Sequence, residues 1–280
     1  LDRNRTRLIG LLWCLILGSF WGRRIEREIL IFFFFALGAC LGSFINVVIY
    51  RLPRGESIVS PPSHCPACGY ILSWWDNIPI ISYLILGGRC RKCGHAISFR
   101  YVLVELLASL LLVFCYLKFG FGVHLFWSAV LALSLLAVFF IDLDHQVIPD
   151  VIDLPGVVVG LLLSYWTVGV VSSVLGLLLG GGGFFLLGLI AGRILKREAL
   201  GGGDVKLMAM IGSFLGPQGV LITTFLGSLV GAVVGLVWLR LSGRDRYAPI
   251  PFGPFLVLGA YTALFWGKEV LLWYLRLGMA

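Results

Sequence analysis

Charge is what this sequence lacks. Only 13% of its 280 residues are Asp, Glu, Lys or Arg, about half the share in a soluble domain. So little polar surface cannot cover a globule in water, which excludes a soluble fold and leaves the bilayer as solvent. The net charge of +8 does not point to nucleic acid. Lys and Arg are confined to a few short loops, the pattern that orients membrane proteins. A cleavage site is also missing. The apolar run Leu8–Trp21 follows Arg3, Arg5 and Arg7 as in a signal peptide, but no small-x-small site follows it. Residues 1–28 are read instead as an extra interfacial or membrane segment.

What is present is apolar, 59% of the residues. Membrane segments are read at 29–50, 101–118, 123–141, 155–171, 173–193, 205–216, 218–239 and 251–275. Most are near the roughly 20 residues that cross a bilayer. The 205–216 run is short and needs a thinned bilayer or a partly re-entrant path. Placing the polar loop 51–100 in the cytoplasm puts loops 142–154, 194–204 and 240–250 there too. These loops hold Arg51, Arg54, Arg89, Arg91, Lys92, Arg100, Lys196, Arg197, Arg240, Arg244 and Arg246, whereas the opposite short loops hold only Lys118. The positive-inside rule is then met. Arg23, Arg24 and Arg27 run against it, offset in part by Glu26 and Glu28. The expected fold is an all-α polytopic membrane protein with about eight transmembrane helices and a small cytoplasmic zinc-binding domain. Its parts are the extra segment 1–28, a first core helix 29–50, the cytoplasmic domain 51–100 and a membrane domain 101–280.

Cys14, Cys40 and Cys115 lie in apolar runs and read as buried small hydrophobes. The other four cysteines form two C-x-x-C knuckles, Cys65 with Cys68 and Cys90 with Cys93, each followed by a turn glycine, Gly69 or Gly94. That spacing fits a closed tetrahedral zinc site, structural rather than catalytic. Arg91 and Lys92 favour the thiolate form. Two disulfides are the alternative, disfavoured in a reducing cytosol. Trp74, Trp75, Ile78 and Tyr83 lie between the knuckles, so the domain is expected to pack on the membrane surface.

With only fourteen acidic residues, placement matters. Asp142, Asp144, Asp150 and Asp153 cluster where the 123–141 segment reaches the cytoplasmic side. Asp204 follows Gly201, Gly202 and Gly203 and opens a later helix. Parity puts Asp142 and Asp204 on one side at similar depth, and an ionisable residue there is a functional hypothesis. Two facing carboxylates cannot both ionise, so such a pair can serve as general base and general acid. The three glycines would let a substrate backbone come close. Two plainer readings stay open, Asp204 as a helix N-cap and Asp142–Asp153 as a solvated loop.

These residues resemble a family, the prepilin peptidases, intramembrane aspartic proteases with a Gly-x-Gly-Asp motif. The likeness runs over about residues 37–240. It rests on Gly42-Ser-Phe-Ile-Asn-Val-Val-Ile-Tyr-Arg-Leu-Pro53, the two knuckles, Ile78-Pro-Ile-Ile-Ser-Tyr83, Gly88-Arg-Cys90 and Ile97-Ser-Phe-Arg-Tyr101. It continues in Asp142 with Ile148-Pro-Asp150, and in Gly201-Gly-Gly-Asp-Val-Lys-Leu207. The resemblance implies a multi-pass enzyme of the bacterial inner membrane with its site facing the cytoplasm. Its substrates would be type IV prepilins or type II secretion pseudopilins, with a basic leader and a hydrophobic helix. It would cleave after the leader and then methylate the new N-terminus using S-adenosylmethionine. Asp142 and Asp204 take the catalytic roles. Gly201–Gly203, Asp144 and Asp150 are expected to meet the substrate. No G-x-G-x-x-G follows a strand, so the usual nucleotide-cofactor fingerprint is absent; Asp76 and Glu105 are candidates to hold a cationic cofactor or the substrate amine, against the plainer readings of a loop charge and a buried helix partner. Three rivals remain: a transporter or proton relay, a zinc-bearing scaffold without chemistry, and a peptidase that has lost methylation.

Overall fold

The computed structural model describes residues 3–196, 200–242 and 251–277. Among these residues it is helical, with only two isolated antiparallel bridges and no sheet. Helix α1 runs unbroken through Arg3–Arg51. The helix passes without a break through residue 28, the bound expected between the extra segment and the first core helix. A loop domain follows and contains the short helix α2, Ile81–Ile85. Then come α3 (Arg100–Phe119), α4 (Val123–His145) and α5 (Asp150–Leu163). Helices α6 (Val170–Leu177) and α7 (Gly183–Leu195) form one rod interrupted by a π turn at Leu178–Gly182. The chain ends in α8 (Gly202–Ser242) and α9 (Gly253–Leu277). Arg197, Arg244 and Arg246, counted above as cytoplasmic, lie outside the described residues.

Helix α8 is two arms. Gly216 breaks it with φ 68° and ψ −174°, and Pro217 follows. A Cβ added at Gly180 would meet both the Met208 backbone and Val220. Residues on either side of the break therefore flank the same glycine, so the chain doubles back at Gly216 and the arms run antiparallel. Six helices are long and apolar enough to span a membrane, α8 among them. The expected segments 155–171 and 205–216 are the short ones. Helix α5 has 14 residues, and the first arm of α8 matches it, so each is about 21 Å long at 1.5 Å per residue. The hydrocarbon core is roughly 30 Å thick. Eight full-length crossings are thus not established: the described residues hold six helices long and apolar enough to span, one of them doubled, and the short α5.

In lipid, helices associate by close packing rather than by hydrophobic drive. A Cβ at Gly42 would lie 2.6 Å from the Glu105 Cα, and one at Gly38 2.5 Å from the Ser109 Cα. These two glycines press α1 onto α3. Val104, Ala108 and Cys115 on α3 are fully buried, and a larger group of fully buried side chains lies on the three helices that carry the site described next: Leu131, Leu135 and Val138 on α4, Leu207, Met208, Ile211 and Phe214 on the first arm of α8, and Leu256, Val257 and Ala260 on α9.

Candidate active site

Asp142 lies in the last turn of α4 and is 5% exposed. The helix ends three residues later because Gln146 turns left-handed (φ 52°). The backbone amide of Gly253, at the start of α9, donates to the Asp142 carboxylate. A Cβ on Gly253 would sit 2.5 Å from Asp142 Oδ2, so only glycine admits this approach. Asp142 Oδ2 has no hydrogen-bond partner among the described residues.

Asp204 opens α8 after the triple glycine and accepts from the Gly201 amide. Two helices distant in sequence thus bring Asp142 and Asp204 to one cavity of about 790 Å³, where Asp204 feels the charge of Asp142. Ile148 is the spacer. A Cβ at Gly203 would be 2.9 Å from its Cβ, and one at Gly253 would be 3.3 Å from its Cδ1. Because both glycines lack side chains, one isoleucine wedges between the anchors of the two aspartates. Gly201, Gly202 and Gly203 also line the cavity, with Asp150, Leu200, Lys206, Pro251 and Phe252.

The remaining acids have other surroundings. Asp150 lines the cavity, but Lys206 holds both its oxygens at 2.6 and 2.7 Å. Asp144 pairs with Arg100 at 2.5 Å. Arg100 also donates to the Phe140 carbonyl at 3.3 Å and lies over the Phe140 ring. It thereby grips α4 on both sides of Asp142 and puts the loop domain on the same face as the pair. Asp153 is fully buried and neither of its oxygens has a partner among the described residues. The solvated loop left open for Asp142–Asp153 by the sequence does not hold for this residue.

In the loop domain the two knuckles repeat one hydrogen-bond pattern. Cys65 N donates to Tyr70 O and Gly69 N to Cys65 O, and Cys90 N donates to His95 O and Gly94 N to Cys90 O. Gly69 and Gly94 have φ of 67° and 70°, so each turn needs a left-handed residue. All four sulfurs lie within 4.8 Å of one another. Cys65 and Cys93 are 3.8 Å apart, Cys68 and Cys90 4.0 Å. Those distances are too long for a disulfide and suit a tetrahedron of thiolates about 2.3 Å from a central ion such as zinc. The backbone amides of Cys93 and Lys92 lower the Cys90 thiol from its ordinary 9.0 to about 7. Cys93, although the His95 amide lowers it, is pushed up to about 12 by burial and by its sister thiols. Four such thiols can all ionise only around a cation.

Asp76 and Glu105 are not brought to the cavity. The Asp76 side chain is 1% exposed and accepts from Arg91 Nε at 2.7 Å and Tyr70 Oη at 3.2 Å. Tyr70 belongs to one knuckle and Arg91 to the other, so Asp76 laces them together. Glu105 Oε2 accepts the Ile80 amide at 2.7 Å, at a residue with φ 62°. That bond ties the loop domain to α3.

Sequence reasoning missed Gly253, Phe252 and Lys206. A glycine at the head of an apolar run looks like packing, and nothing local marks it as the neighbour of Asp142. Lys206 stood inside the quoted motif, but its partner Asp150 is distant in sequence.

Two family models match the chain, the bacterial peptidase A24 N-terminal domain over residues 36–119 and the type IV leader peptidase family over residues 129–236. A protein of Xanthomonas campestris named prepilin leader peptidase/N-methyltransferase is 38% identical over 265 residues, 86% of this chain and 92% of its own. One of the same name from Pseudomonas aeruginosa is 38% identical over 269 residues, 86% and 91% of the two chains. Another, from Myxococcus xanthus, is 43% identical over 215 residues, 76% and 64%. No solved structure matches. The order of motifs read from the sequence, the convergence of two distant aspartates and this extended similarity agree: the chain belongs to the type IV leader peptidase family.

Proposed function

We propose that this chain removes the leader from type IV prepilins or type II secretion pseudopilins and methylates the new N-terminus, with Asp142 and Asp204 as the catalytic pair. The observation that carries the reading is the meeting of these two carboxylates in one glycine-walled cavity. One carboxylate takes a proton from a water molecule while the other, protonated, hydrogen-bonds to the scissile carbonyl. The water oxygen attacks the carbonyl carbon, and the acid later protonates the leaving amine. Gly201–Gly203 leave room for the substrate backbone. The substrate's hydrophobic helix lies in lipid while its basic leader stays at the cytoplasmic face of the inner membrane. Asp150 is the acidic group at the cavity, where a leader cation would compete with Lys206. Asp144 supports α4 through Arg100.

The four cysteines hold one structural zinc ion, which closes the loop domain and takes no part in the chemistry. Methyl transfer draws on S-adenosylmethionine. Asp76 and Glu105 fit a cofactor role poorly, since binding a sulfonium would take Asp76 from Arg91 or Glu105 from the Ile80 amide. No methyl-transfer step is assigned to them. Incubating the solubilised protein with a prepilin and S-adenosylmethionine, then weighing the products, tests the reading. The expected product lacks the leader and carries one added methyl group. Intact prepilin after full incubation would overturn the assignment.

A further inference from the structure

The two halves of the membrane region differ in height. Helix α5 and the first arm of α8 start together at the face of the catalytic pair, joined by Asp150 and Lys206. They run side by side, since a Cβ on Gly156 would meet Met210 and one on Gly160 would meet Phe214. Both stop about 21 Å later. Phe214 lies against Trp127, with ring centroids 6.4 Å apart, so the arm ends one turn short of the start of α4. Phe119 packs on both Trp127 and Phe265, at 5.8 and 6.3 Å, which sets Phe265 at the same height. Helix α9 bends at Trp266 (φ −130°) and runs on to Leu277.

Exposed aromatic residues mark the same step. Tyr165 and Trp166 end the short half, 73% and 58% exposed. Trp273 and Tyr274 lie on the α9 extension, 64% and 68% exposed. Such residues prefer headgroup level, and these two pairs stand about 10 Å apart along the helix rise. Beside Tyr165, at the end of the short half, lies a basin of about 990 Å³ with a largely apolar wall and a polar lining of Tyr165, Thr167, Ser172, Gln218 and Lys268. The neighbouring Glu269 is held by Lys118 at 2.8 Å, while Lys268 faces the basin. A helix end in hydrocarbon leaves backbone groups unsatisfied at several kcal/mol each. Headgroups must come down to meet the short helices, and a cation beside donor side chains suits their phosphate.

We propose that the face opposite the catalytic pair binds a phospholipid headgroup in this basin, with Lys268 on the phosphate, so that the far leaflet dips over α5, α6 and the turn of α8. The test uses the full-length protein in phosphatidylcholine nanodiscs, with a fluorescent amino acid at position 218 or at position 117. Leu117 is lipid-exposed on the long half at a similar height. Spin-labelled lipids, marked on the headgroup or deep in the chain, serve as quenchers. The headgroup label is expected to quench position 218 and the chain label position 117. Equal depth at the two positions would overturn the dip. With headgroup-labelled phosphatidylglycerol, Lys268→Gln should weaken quenching at 218 by up to about five-fold, the pull of one lysine on an anionic lipid, and Lys268→Arg should restore it. Unchanged quenching in Lys268→Gln would overturn the role of Lys268. Loss of quenching on adding excess inorganic phosphate would assign the basin to free anions and overturn the lipid reading.

Discussion

The loop domain and the catalytic face treat buried carboxylates in opposite ways. Asp76 in the loop domain and Glu105 on α3, where that domain docks, are each spent on a donor, Asp76 on Arg91 and Tyr70, Glu105 on the Ile80 amide. On the catalytic face Asp142 Oδ2 and both oxygens of Asp153 have no partner among the described residues. Buried polar atoms are nearly always satisfied, and exceptions need a reason. A satisfied carboxylate holds parts together. An orphaned oxygen is left for water or substrate, as Asp142 Oδ2 is in this reading.

The comparison breaks first, and most severely, at the pair itself. Asp142→Asn or Asp204→Asn should cut prepilin cleavage on the order of 10⁴-fold or more, and the double variant should be no worse, because the two act as one unit. Their melting temperatures should stay near the parent's. Cleavage should show a bell-shaped pH profile whose limits belong to the pair. An active Asp204 variant would end the aspartic-protease reading. An active Asp142 variant beside a dead Asp144 one would move the partner by half a turn.

Next in size is the metal. Cys65→Ser with Cys90→Ser should take the metal content from about one zinc per chain to none and lower the unfolding temperature before it touches the chemistry. Full zinc in that variant would sink the site. Because the Cys90 thiol lies at about 7 instead of 9.0, its thiolate persists to neutral pH. Protons compete with the ion as pH falls through and below 7, so transfer of zinc to a chelator should quicken there and slow above it.

Gly253→Ala sharpens the contrast without removing a carboxylate. Its new Cβ would crowd Asp142 Oδ2 and Ile148, and displacing the pair by a fraction of an ångström should cost about 10²-fold in kcat. Parent-like kinetics would show that the approach of Gly253 is incidental. Asp76→Asn should do the reverse, lowering stability by about 2 kcal/mol through the lost ion pair with kcat for cleavage little changed. A large kcat loss at parental stability would contradict a scaffolding role. The smallest effects belong to the half-exposed pairs. Asp144→Asn and Asp150→Asn remove interactions worth about 1 kcal/mol or less. They should leave kcat within a few-fold, with any rise in KM at low salt confined to Asp150.

Much of this was legible in the residues. Hydropathy placed α3, α4 and α9 within a few positions of their observed ends, since long apolar runs bounded by charge or glycine leave little choice. The knuckles were readable because metal spacing is local. Parity put the Asp142 cluster and Asp204 on one side of the membrane, and the choice of Asp142 over Asp144 came from the family resemblance. Helix α5 was read too late, at 155, because Asp150 and Asp153 look like loop residues until tertiary packing buries one and pairs the other. Gly253, Lys206 and Arg100 act across long stretches of chain, so no window of sequence reveals their partners.

The fold-back at Gly216 bears on how the chain enters the membrane. The first arm of α8 is short and begins with Asp204 and Lys206. At about 21 Å it falls short of a hydrocarbon core roughly 30 Å thick, so this arm cannot span by itself as it leaves the ribosome. The second arm, long, apolar and free of charge until Arg240, can. The two must therefore insert as one helical hairpin, the second arm carrying the first. Half of the catalytic pair is delivered only after the residues that follow it have been made.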